Sequence, residues 1–341
     1  MLPFTVRRLL LVVPMLIGAS LLIFTIFNIS TVDPVKRYLG DRANDEELVS
    51  RLRGELGLDD PAWKRYLRFI GGVAVGDFGK SISTRRPVTE EIKRRFPASL
   101  ELAATALLLS VGFGLAAGVA AGLRRNTPVD YLAMGAALLA VSLPVFWLAL
   151  LLSWFFAERL GWLPLDQRLG LRFIGRVEPR TGLMLVDSAL AGDWVVFRES
   201  LRHLVLPAVT LAMVTSAFVA RMTRSSVLEV LRQDYVRTAT AKGLGPVGRL
   251  HHILRNALIP VVTIIGLEVP ALIGGAVITE TIFTWPGLGS YLIDSILAAD
   301  TPAVQGVVMF TTLLFILTNL VVDLLCAAID PRVREGQLAA A

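Results

Sequence analysis

Residues 9–30 read LLLVVPMLIGASLLIFTIFNIS and contain no charged side chain over 22 positions. As a helix with a rise of about 1.5 Å per residue, roughly 20 apolar residues cross the roughly 30 Å hydrocarbon core of a bilayer. The apolar part of a signal peptide is only about 7–15 residues long, and no small-residue cleavage site follows this stretch. The stretch therefore predicts a retained first transmembrane helix.

The overall composition also indicates a membrane protein. Of the 341 residues, 54% are hydrophobic and only 18% are charged, and the mean hydropathy is +0.64. Soluble domains carry about 25% charged residues, so neither a soluble nor a disordered chain fits. The single cysteine, Cys326, excludes a disulfide framework within the chain. The net charge of +6 is typical of basic cytoplasmic loops, so we expect contacts with membrane lipid and no nucleic-acid partner.

Five further apolar stretches are long enough, or nearly so, to cross a bilayer as helices: 100–123, 131–157, 203–220, 259–279 and 303–329. The stretch 203–220 is the shortest of them. The alternating apolar pattern of membrane strands, about 10 residues long, is absent from the sequence. We therefore predict an all-α, polytopic membrane protein with six transmembrane helices.

The distribution of basic residues predicts the orientation. Basic pairs at 7–8 and 124–125 flank the first two spans, and residues 221–258 carry seven basic side chains against two acids. Lys and Arg of short loops concentrate on the cytoplasmic side, so both termini are predicted to be cytoplasmic. The segment 31–98 has 14 basic and 11 acidic residues, but it is too long for this rule and is placed outside.

The outer segment contains two stretches of helical texture, 46–58 and 63–70, and then becomes loop-like around the glycines of 71–79. We expect a small lid or platform rather than an independent domain. Its tripeptide Gly79-Lys80-Ser81 has the ending of a phosphate-binding P-loop, but Ala74 stands where the first glycine is required. ATP binding by this chain is therefore not expected.

The loop after the fourth span has a distinct pattern. Residues 221–242 contain neither proline nor glycine, so a helix can continue out of the span. Gly243 then permits a left-handed helix end, and Pro246 suits the first turn of a second helix. One stripe of that second helix is apolar: Val247, Leu250, Leu254 and Leu258. The pattern predicts an amphipathic, basic helix–break–helix element against the cytoplasmic face.

Residues 234–244 of this loop read DYVRTATAKGL, and residues 254–260 read LRNALIP. Together they closely resemble the signature loop of membrane subunits of binding-protein-dependent ABC importers, in particular the dipeptide and oligopeptide permease group. At 237–239 the broad superfamily has Glu-Ala-Ala, and RTA in its place matches the peptide-type group. The resemblance extends along nearly the whole chain through LGLDDP at 56–61, GDFG at 76–79, RPV at 86–88, ETIFTWPGLG at 280–289 and DPRVR at 330–334.

The resemblance implies a type I ABC importer permease fold with a coupling helix that docks on a cytoplasmic ATPase. The implied coupling residues are Asp234, Tyr235, Arg237, Thr238, Ala239, Thr240, Ala241, Lys242, Gly243 and Leu244. The implied partners are a second homologous permease subunit, two cytoplasmic ATPase subunits and an extracytoplasmic solute-binding protein. The chain itself is expected to be non-catalytic and without a cofactor, because ATP and Mg would bind the ATPases.

The implied location is the cytoplasmic (inner) membrane of a prokaryote, with multiple passes. The first helix and its short leader occupy 1–30, the extracytoplasmic segment 31–98, and the cytoplasmic tail 331–341. Between them, a five-helix permease core covers 99–330 and includes the cytoplasmic coupling loop 221–258. The implied cargo is di- or oligopeptides delivered by the solute-binding protein, and nickel chelates, haem precursors or sugars are the alternative cargoes.

Glycines spaced four apart in span two, at Gly114, Gly118 and Gly122, form a smooth ridge that permits close helix packing. Packing within this chain is favoured over packing against a second subunit. Near the middle of span five, Glu268 either lines the translocation path or is a hydrogen-bonded structural acid. Glu280, at the outer end of the same span, lies in the family-like motif where a binding protein would dock.

Two other classes of protein remain as distant alternatives. An ion-coupled secondary transporter requires intramembrane ion ligands and usually an internal repeat, and Glu268 is its one candidate ligand. A membrane-anchored enzyme requires a nucleophile with its base, or a metal site. No metal site is expected, since the adjacent His251 and His252 cannot face one ion from one side of a helix.

Overall fold

The structure is a computed structural model and describes residues 2–29, 35, 39, 44–55 and 57–329. Its α-helices, in chain order, are α1 (Leu2–Ile29), α2 (Glu46–Glu55), α3 (Ala62–Ala74), α4 (Val88–Leu123), α5 (Pro128–Ser142), α6 (Val145–Leu152), α7 (Met184–Leu190), α8 (Trp194–Val230), α9 (Asp234–Ala241), α10 (Pro246–Ile282), α11 (Leu288–Leu297) and α12 (Thr301–Ile329). A π-helix at Ser153–Arg159 continues α6. Across the described ranges, β pairing is limited to one isolated bridge between Lys80 and Pro87. The motif 330–334, the tail 331–341 and most of 30–43 lie outside the described residues.

Five described helices are long and apolar enough to cross a membrane: α1, α4, α8, α10 and α12. The helices α5 and α6 reach that length only together, and they are bent by 109° where Leu143 and Pro144 join them. Proline lacks the N–H that a continuing helix needs and favours extended geometry in the residue before it. The prediction of an unbroken helix at 131–157 is therefore wrong. Six spans are present if the bent pair counts as one.

The fourth span is much longer than its predicted range of 203–220. α8 covers 37 residues and begins at Trp194, where the side chain of Asp193 accepts a hydrogen bond from the Val196 backbone N–H at 3.1 Å. This bond, together with the nearby Arg176 guanidinium, holds the pKa of Asp193 below its ordinary value. α8 packs against α4, α5, α6, α7 and α10 and so forms the centre of the fold. Hydropathy marks only its apolar middle, because charged side chains such as Arg198, Arg202 and Arg224 lie toward its ends.

The contact between α4 and α8 depends on small residues. Each glycine of the predicted ridge faces a side chain of α8: Gly114 faces Val219, Gly118 faces Thr223 and Gly122 faces Val227. A Cβ atom on Gly118 would lie 2.5 Å from the carbonyl oxygen of Ala220, so no larger residue fits there unless a helix moves. Small residues permit such close approach of helices in a membrane. The ridge thus packs within this chain.

The outer segment is more helical than predicted. α4 begins at Val88, inside the predicted segment 31–98, and its first turns join a hydrophobic cluster with α11 and α12: Val88, Ile92, Leu288, Tyr291, Ala303 and Val307. α3 runs through Gly71 and Gly72, where a loop was expected. A Cβ atom on Gly72 would lie 2.6 Å from the carbonyl oxygen of Asp77, so this glycine permits the turn that follows the helix.

The P-loop-like tripeptide of the outer segment binds an acid of the same chain. The Ser81 hydroxyl and the Ser83 backbone N–H donate hydrogen bonds to Asp300 Oδ2 at 2.5 and 3.0 Å, and the Ile82 N–H donates to Oδ1 at 3.1 Å. Asp300 is buried and also caps the start of α12, because its Oδ1 accepts the Ala303 N–H at 3.2 Å. The Ser81 hydroxyl and the two backbone amides that follow the tripeptide are therefore occupied, and they anchor the outer segment to α12.

Candidate functional site

The loop between α8 and α10 folds differently from the expected continuous helix. α8 extends past residue 220 but ends at Val230, and a turn at 231–233 separates it from the short helix α9. Gln233 is extended, with φ −72° and ψ 144°, and starts α9 without a side-chain cap. Sequence reasoning missed this break because neither glycine nor proline marks it. The loop is therefore two turns and a separate eight-residue helix rather than one long extension.

The carboxyl end of α9 has the predicted left-handed cap. Gly243 adopts φ +77°, its N–H donates to Thr240 O at 3.0 Å, and the Leu244 N–H donates to Ala239 O at 3.1 Å. These two bonds form a Schellman motif, which satisfies carbonyl groups that the helix end would leave unpaired. α10 then begins at Pro246, as the missing N–H of proline predicts. The turn between α9 and α10 is thus short and defined by its own backbone hydrogen bonds.

One face of α9 is attached to the neighbouring helices. Val236 is 7% exposed and packs in a cluster with Val227 of α8 and with Ile253 and Ala257 of α10. The Tyr235 hydroxyl accepts a hydrogen bond from the Asn256 side-chain amide at 2.7 Å. A helix this short is marginal on its own in water, so these tertiary contacts hold it. α9 can therefore move only with α8 and α10.

The rest of α9 and the turn after it face outward. The exposed residues are Asp234, Tyr235, Arg237, Thr238, Thr240, Ala241, Lys242, Gly243 and Leu244, and Ala239 is half-buried. The Arg237 guanidinium lies 3.6 Å from the Asp234 carboxylate, an exposed pair of a kind that contributes little to stability. The predicted coupling residues therefore form one continuous exposed surface.

The predicted apolar stripe of α10 is partly wrong. Val247 is 81% exposed, whereas Leu250, Leu254 and Leu258 are half-buried. The fully buried positions are Ile253 and Ala257, which face α9. The buried face is rotated relative to the predicted stripe because α9 packs against Ile253 and Ala257. The sequence of α10 alone does not reveal the position of α9. Val247 is added to the exposed surface at the start of α10.

An ion pair holds the base of this loop. Arg224 of α8 binds Asp130 of α5 through two parallel contacts, Nε to Oδ1 at 2.6 Å and Nη2 to Oδ2 at 2.8 Å. The Asn126 backbone N–H donates a third bond to Asp130 at 3.0 Å. Asp130 is buried, and a two-pronged Arg–carboxylate contact is both strong and directional. Sequence reasoning missed this pair, whose members lie 94 residues apart.

Glu268 is half-buried between two helices. Its Oε2 accepts a hydrogen bond from the Thr215 hydroxyl of α8 at 3.3 Å. This is the one hydrogen bond of the Glu268 carboxylate within the described part of the chain. A separate cavity of about 390 Å³ lies between α4, α10, α11 and α12, and Val269, Ile273 and Glu280 line it, but Glu268 does not. The structure thus places Glu268 at a helix interface beside Thr215 and apart from this cavity.

The segment 280–289 forms a turn that buries Glu280 and Trp285, whereas Thr281, Thr284 and Pro286 are exposed. Glu280 has 0% exposure and accepts hydrogen bonds from Ser99 Oγ at 2.6 Å, Gly289 N at 2.6 Å and Ser290 N at 3.2 Å. Trp285 is also fully buried, and its Nε1 donates to Ala98 O at 2.8 Å. The Glu280 side chain is buried and so is not available to a binding protein, while docking of such a protein on the motif 280–289 stays a prediction. The side chain holds the start of α11 on α4 instead.

Among the residues that the structure describes, no group of three or more His, Cys, Asp or Glu could hold a metal ion. His251 and His252 are both exposed on α10 with ring centres 6.0 Å apart. His203 is buried, and its Nδ1 lies 2.8 Å from the carbonyl oxygen of Asp166.

The chain also matches a known protein family. Residues 111–335 match the inner membrane component of binding-protein-dependent transport systems. The chain belongs to this family. Residues 1–103 match the N-terminal part of the membrane component of such systems. The predicted importer-permease family is confirmed, and so is the prediction of a multi-pass inner membrane protein.

Several curated permeases are similar to this chain over nearly its whole length. It is 45% identical to the di/tripeptide transport system permease protein DppB of Pseudomonas aeruginosa, over 98% of this chain and 99% of that protein. It is 44% identical to the dipeptide transport system permease protein DppB of Escherichia coli K12, over the same shares. The glutathione transport system permease protein GsiC of Salmonella paratyphi A is 40% identical, again over 98% and 99%.

The predicted site residues of the permease therefore lie in three separate places. The residues 234–244 lie together on the outside of the α9 loop. The glycines of 114–122 lie in the α4–α8 contact, and Glu268 lies between α8 and α10. The sequence gives no signal for the roles of Asp130, Arg224 and Ser99. Each of these side chains forms a hydrogen bond with a residue distant in the chain.

Proposed function

We propose that this chain is the permease subunit of an ATP-driven importer that carries dipeptides and short oligopeptides. The full-length relatives are named for di- and tripeptides, dipeptides and glutathione, so peptides are the cargo they share. None of these names favours nickel chelates, haem precursors or sugars. The cargo would reach the permease from an extracytoplasmic solute-binding protein, which the family description includes.

The permease requires partners for this work. ATP hydrolysis takes place on two separate cytoplasmic ATPase subunits, and a second homologous permease subunit completes the path. ATP-driven movement of the ATPases switches the two permeases between inward-facing and outward-facing arrangements, a rigid-body change of the kind found at domain interfaces. This chain contributes the surface that receives the movement and half of the path.

The exposed surface of α9 is the observation that carries this proposal. α9 presents nearly all of its side chains outward, yet Val236 and the Tyr235–Asn256 hydrogen bond hold it to α8 and α10. A short helix with a defined cap moves as a unit, whereas a flexible loop absorbs a displacement. A push on α9 is therefore passed to the two helices that cross the membrane from this loop.

The Asp130–Arg224 pair gives this movement a second route. Because Arg224 lies on α8 near its loop end, the pair ties that end to the start of α5. α5 and α6 are bent against each other, so a shift of α8 reaches both. In this arrangement the α9 loop, α5, α8 and α10 respond together to the ATPase.

Glu268 is the proposed point of contact with the peptide. A half-buried carboxylate with a single side-chain hydrogen bond suits an ammonium group better than it suits lipid. The path itself forms at the contact with the second permease subunit, so Glu268 would meet the cargo only in the assembled importer.

Uptake of radiolabelled dipeptides and tripeptides by host cells, with and without the gene, tests the cargo. Uptake is expected to disappear on deletion and to return with the gene, and an excess of unlabelled dipeptide should compete where nickel or sugar does not. Normal peptide uptake in a host deleted for its other peptide importers would overturn the cargo assignment.

Photo-cross-linking tests the ATPase contact. In the Cys326→Ser background, Thr238→Cys carries a benzophenone maleimide in membranes that contain the whole importer, and Val75→Cys, just beyond α3, is the matched exposed control. An ATPase subunit, identified by mass spectrometry, is expected to cross-link from residue 238 and not from residue 75. Equal cross-linking from both, or none from residue 238, would contradict the proposed docking of α9.

A further inference from the structure

α3 has two chemically different sides. Its residues 62–74 read AWKRYLRFIGGVA, and at 100° per residue the large apolar side chains fall on one side: Trp63, Tyr66, Leu67, Phe69, Ile70 and Val73. Lys64, Arg65 and Arg68 fall on the other side. None of the residues of α3 is buried. An apolar face that wide is unusual for a helix that the rest of the protein leaves largely uncovered.

α1 covers only part of this apolar face. The Tyr66 hydroxyl shares a hydrogen bond with Ser20 Oγ at 3.0 Å, and its ring meets the ring of Phe24 edge-on at 5.4 Å. Arg65 reaches Asn28 with a hydrogen bond. Phe69, Ile70 and Val73 are half-buried, whereas Trp63 at 66% exposure and Leu67 at 57% have no covering element among the described residues.

The contacts with α1 give the depth of α3. The apolar window of α1 is Arg8–Asn28, and all three contact residues, Ser20, Phe24 and Asn28, lie in it. At about 1.5 Å per residue, Phe24 lies about 6 Å inside the end of that window. α3 therefore lies at the membrane boundary on the carboxyl side of α1, where an uncovered apolar face meets lipid.

The polar face of α3 has the charge that suits this position. Lys64 and Arg68 are both exposed and share one acid, Asp60, so the face remains basic. Helices that lie in a membrane surface carry Lys and Arg on the polar side and Trp, Phe and Leu on the other, and their basic side attracts anionic headgroups.

We propose that α3 is an interfacial helix, which inserts Trp63 and Leu67 among the lipid chains and directs Lys64 and Arg68 toward anionic headgroups. The inference rests on the membrane location alone, so it stands or falls independently of the proposed cargo and ATPase contacts. Its consequence is that lipid, rather than a protein partner, covers the part of α3 that α1 leaves exposed.

Spin labels on the full chain in lipid nanodiscs test the insertion. In the Cys326→Ser background, Leu67→Cys and Trp63→Cys report the apolar face, and Lys64→Cys is the matched control on the same helix. Labels at 63 and 67 are expected to be relaxed more strongly by oxygen than by a water-soluble nickel chelate, with the reverse at 64. Stronger relaxation by nickel at 63 and 67 would place the face in water, and exclusion of both reagents would place it against a protein. Either result would overturn the proposal.

The lipid composition tests the headgroup contact. Nanodiscs with phosphatidylglycerol are expected to give a greater oxygen-to-nickel preference at residue 67 than nanodiscs of phosphatidylcholine alone. Equal preferences would overturn the part of the proposal that assigns Lys64 and Arg68 to anionic lipid. A Lys64→Gln/Arg68→Gln double variant should remove the difference between the two lipids, since it keeps the apolar face and removes two cations.

Discussion

The two ends of α10 carry the two most distinctive motifs of the chain, and these motifs differ in how far they are buried and in how many hydrogen bonds hold them. At Pro246, the adjoining α9 surface is exposed and is held by one buried valine and one side-chain hydrogen bond. At Ile282, the turn to α11 buries Glu280 and Trp285 completely. It joins α4 through three hydrogen bonds, and two more join Glu280 to the start of α11. The first end exposes most of its side chains, whereas the second end directs Glu280 and Trp285 into its own chain.

Resemblance to one family therefore does not tell which motif of a membrane subunit is exposed and which faces its own chain. Both segments resemble the same family, yet residues at the exposed end should affect transport without affecting stability. Residues at the buried end should affect stability first. Variants at the two ends test whether effects on transport and effects on stability are separate in this way.

The buried end should be the most sensitive to truncation. Glu280→Ala leaves the Ser99 hydroxyl and two backbone N–H groups of α11 without their acceptor. Each unsatisfied buried donor costs about 1–3 kcal/mol, so a loss of about 3 kcal/mol or more is expected. Thermal unfolding of the purified permease in detergent measures it. Glu280→Gln keeps an acceptor oxygen and should lose clearly less, and an unchanged melting temperature for Glu280→Ala would contradict the assigned role.

The α4–α8 contact offers a second buried test with a control on the same helix. Gly118→Val places its Cβ 2.5 Å from both Ala220 O and Thr223 Cβ, and overpacking of this kind costs about 1–3 kcal/mol. Gly112→Val meets nothing within 4 Å and should retain the melting temperature. Equal melting temperatures for the two variants would mean that α4 and α8 are farther apart than the structure shows.

The exposed end should respond in the opposite way. A Cβ atom on Gly243 meets nothing within 4 Å, so Gly243→Val acts only through its positive φ and costs about 1 kcal/mol. Uptake of labelled dipeptide by the whole importer should nevertheless fall more than tenfold, because α9 loses its cap. Gly243→Asn adopts the left-handed conformation more readily and should retain most uptake. Full uptake by Gly243→Val would contradict the proposed difference between the exposed and the buried end of α10.

The smallest structural effect is expected at Arg237. Its pair with Asp234 is long and exposed, so Arg237→Ala should leave the melting temperature unchanged. Peptide-stimulated ATP hydrolysis by the whole importer should fall if residue 237 contacts the ATPase. Lys64→Ala, on the basic face of α3, is the control and should leave hydrolysis unchanged. A similar loss in both variants would argue for a general effect of surface charge.

The two ends were also not equally predictable. The break at Gly243 and the start of α10 at Pro246 follow from the backbone preferences of those two residues. The turn at 231–233 was missed, because it depends on contacts of Val236 with α8 and α10. The role of Glu280 was also missed, since its partner Ser99 lies 181 residues away in the chain.

The amino-acid sequence alone is sufficient to predict the membrane class, the approximate positions of the apolar spans, the family and the cap of α9. These properties depend on the length of apolar runs and on the local conformations open to glycine and proline. The tertiary structure was needed to show that α8 is the central helix and that Glu280 faces its own chain. Each of these depends on which distant helices pack together, and hydropathy averages over the faces on which such packing takes place.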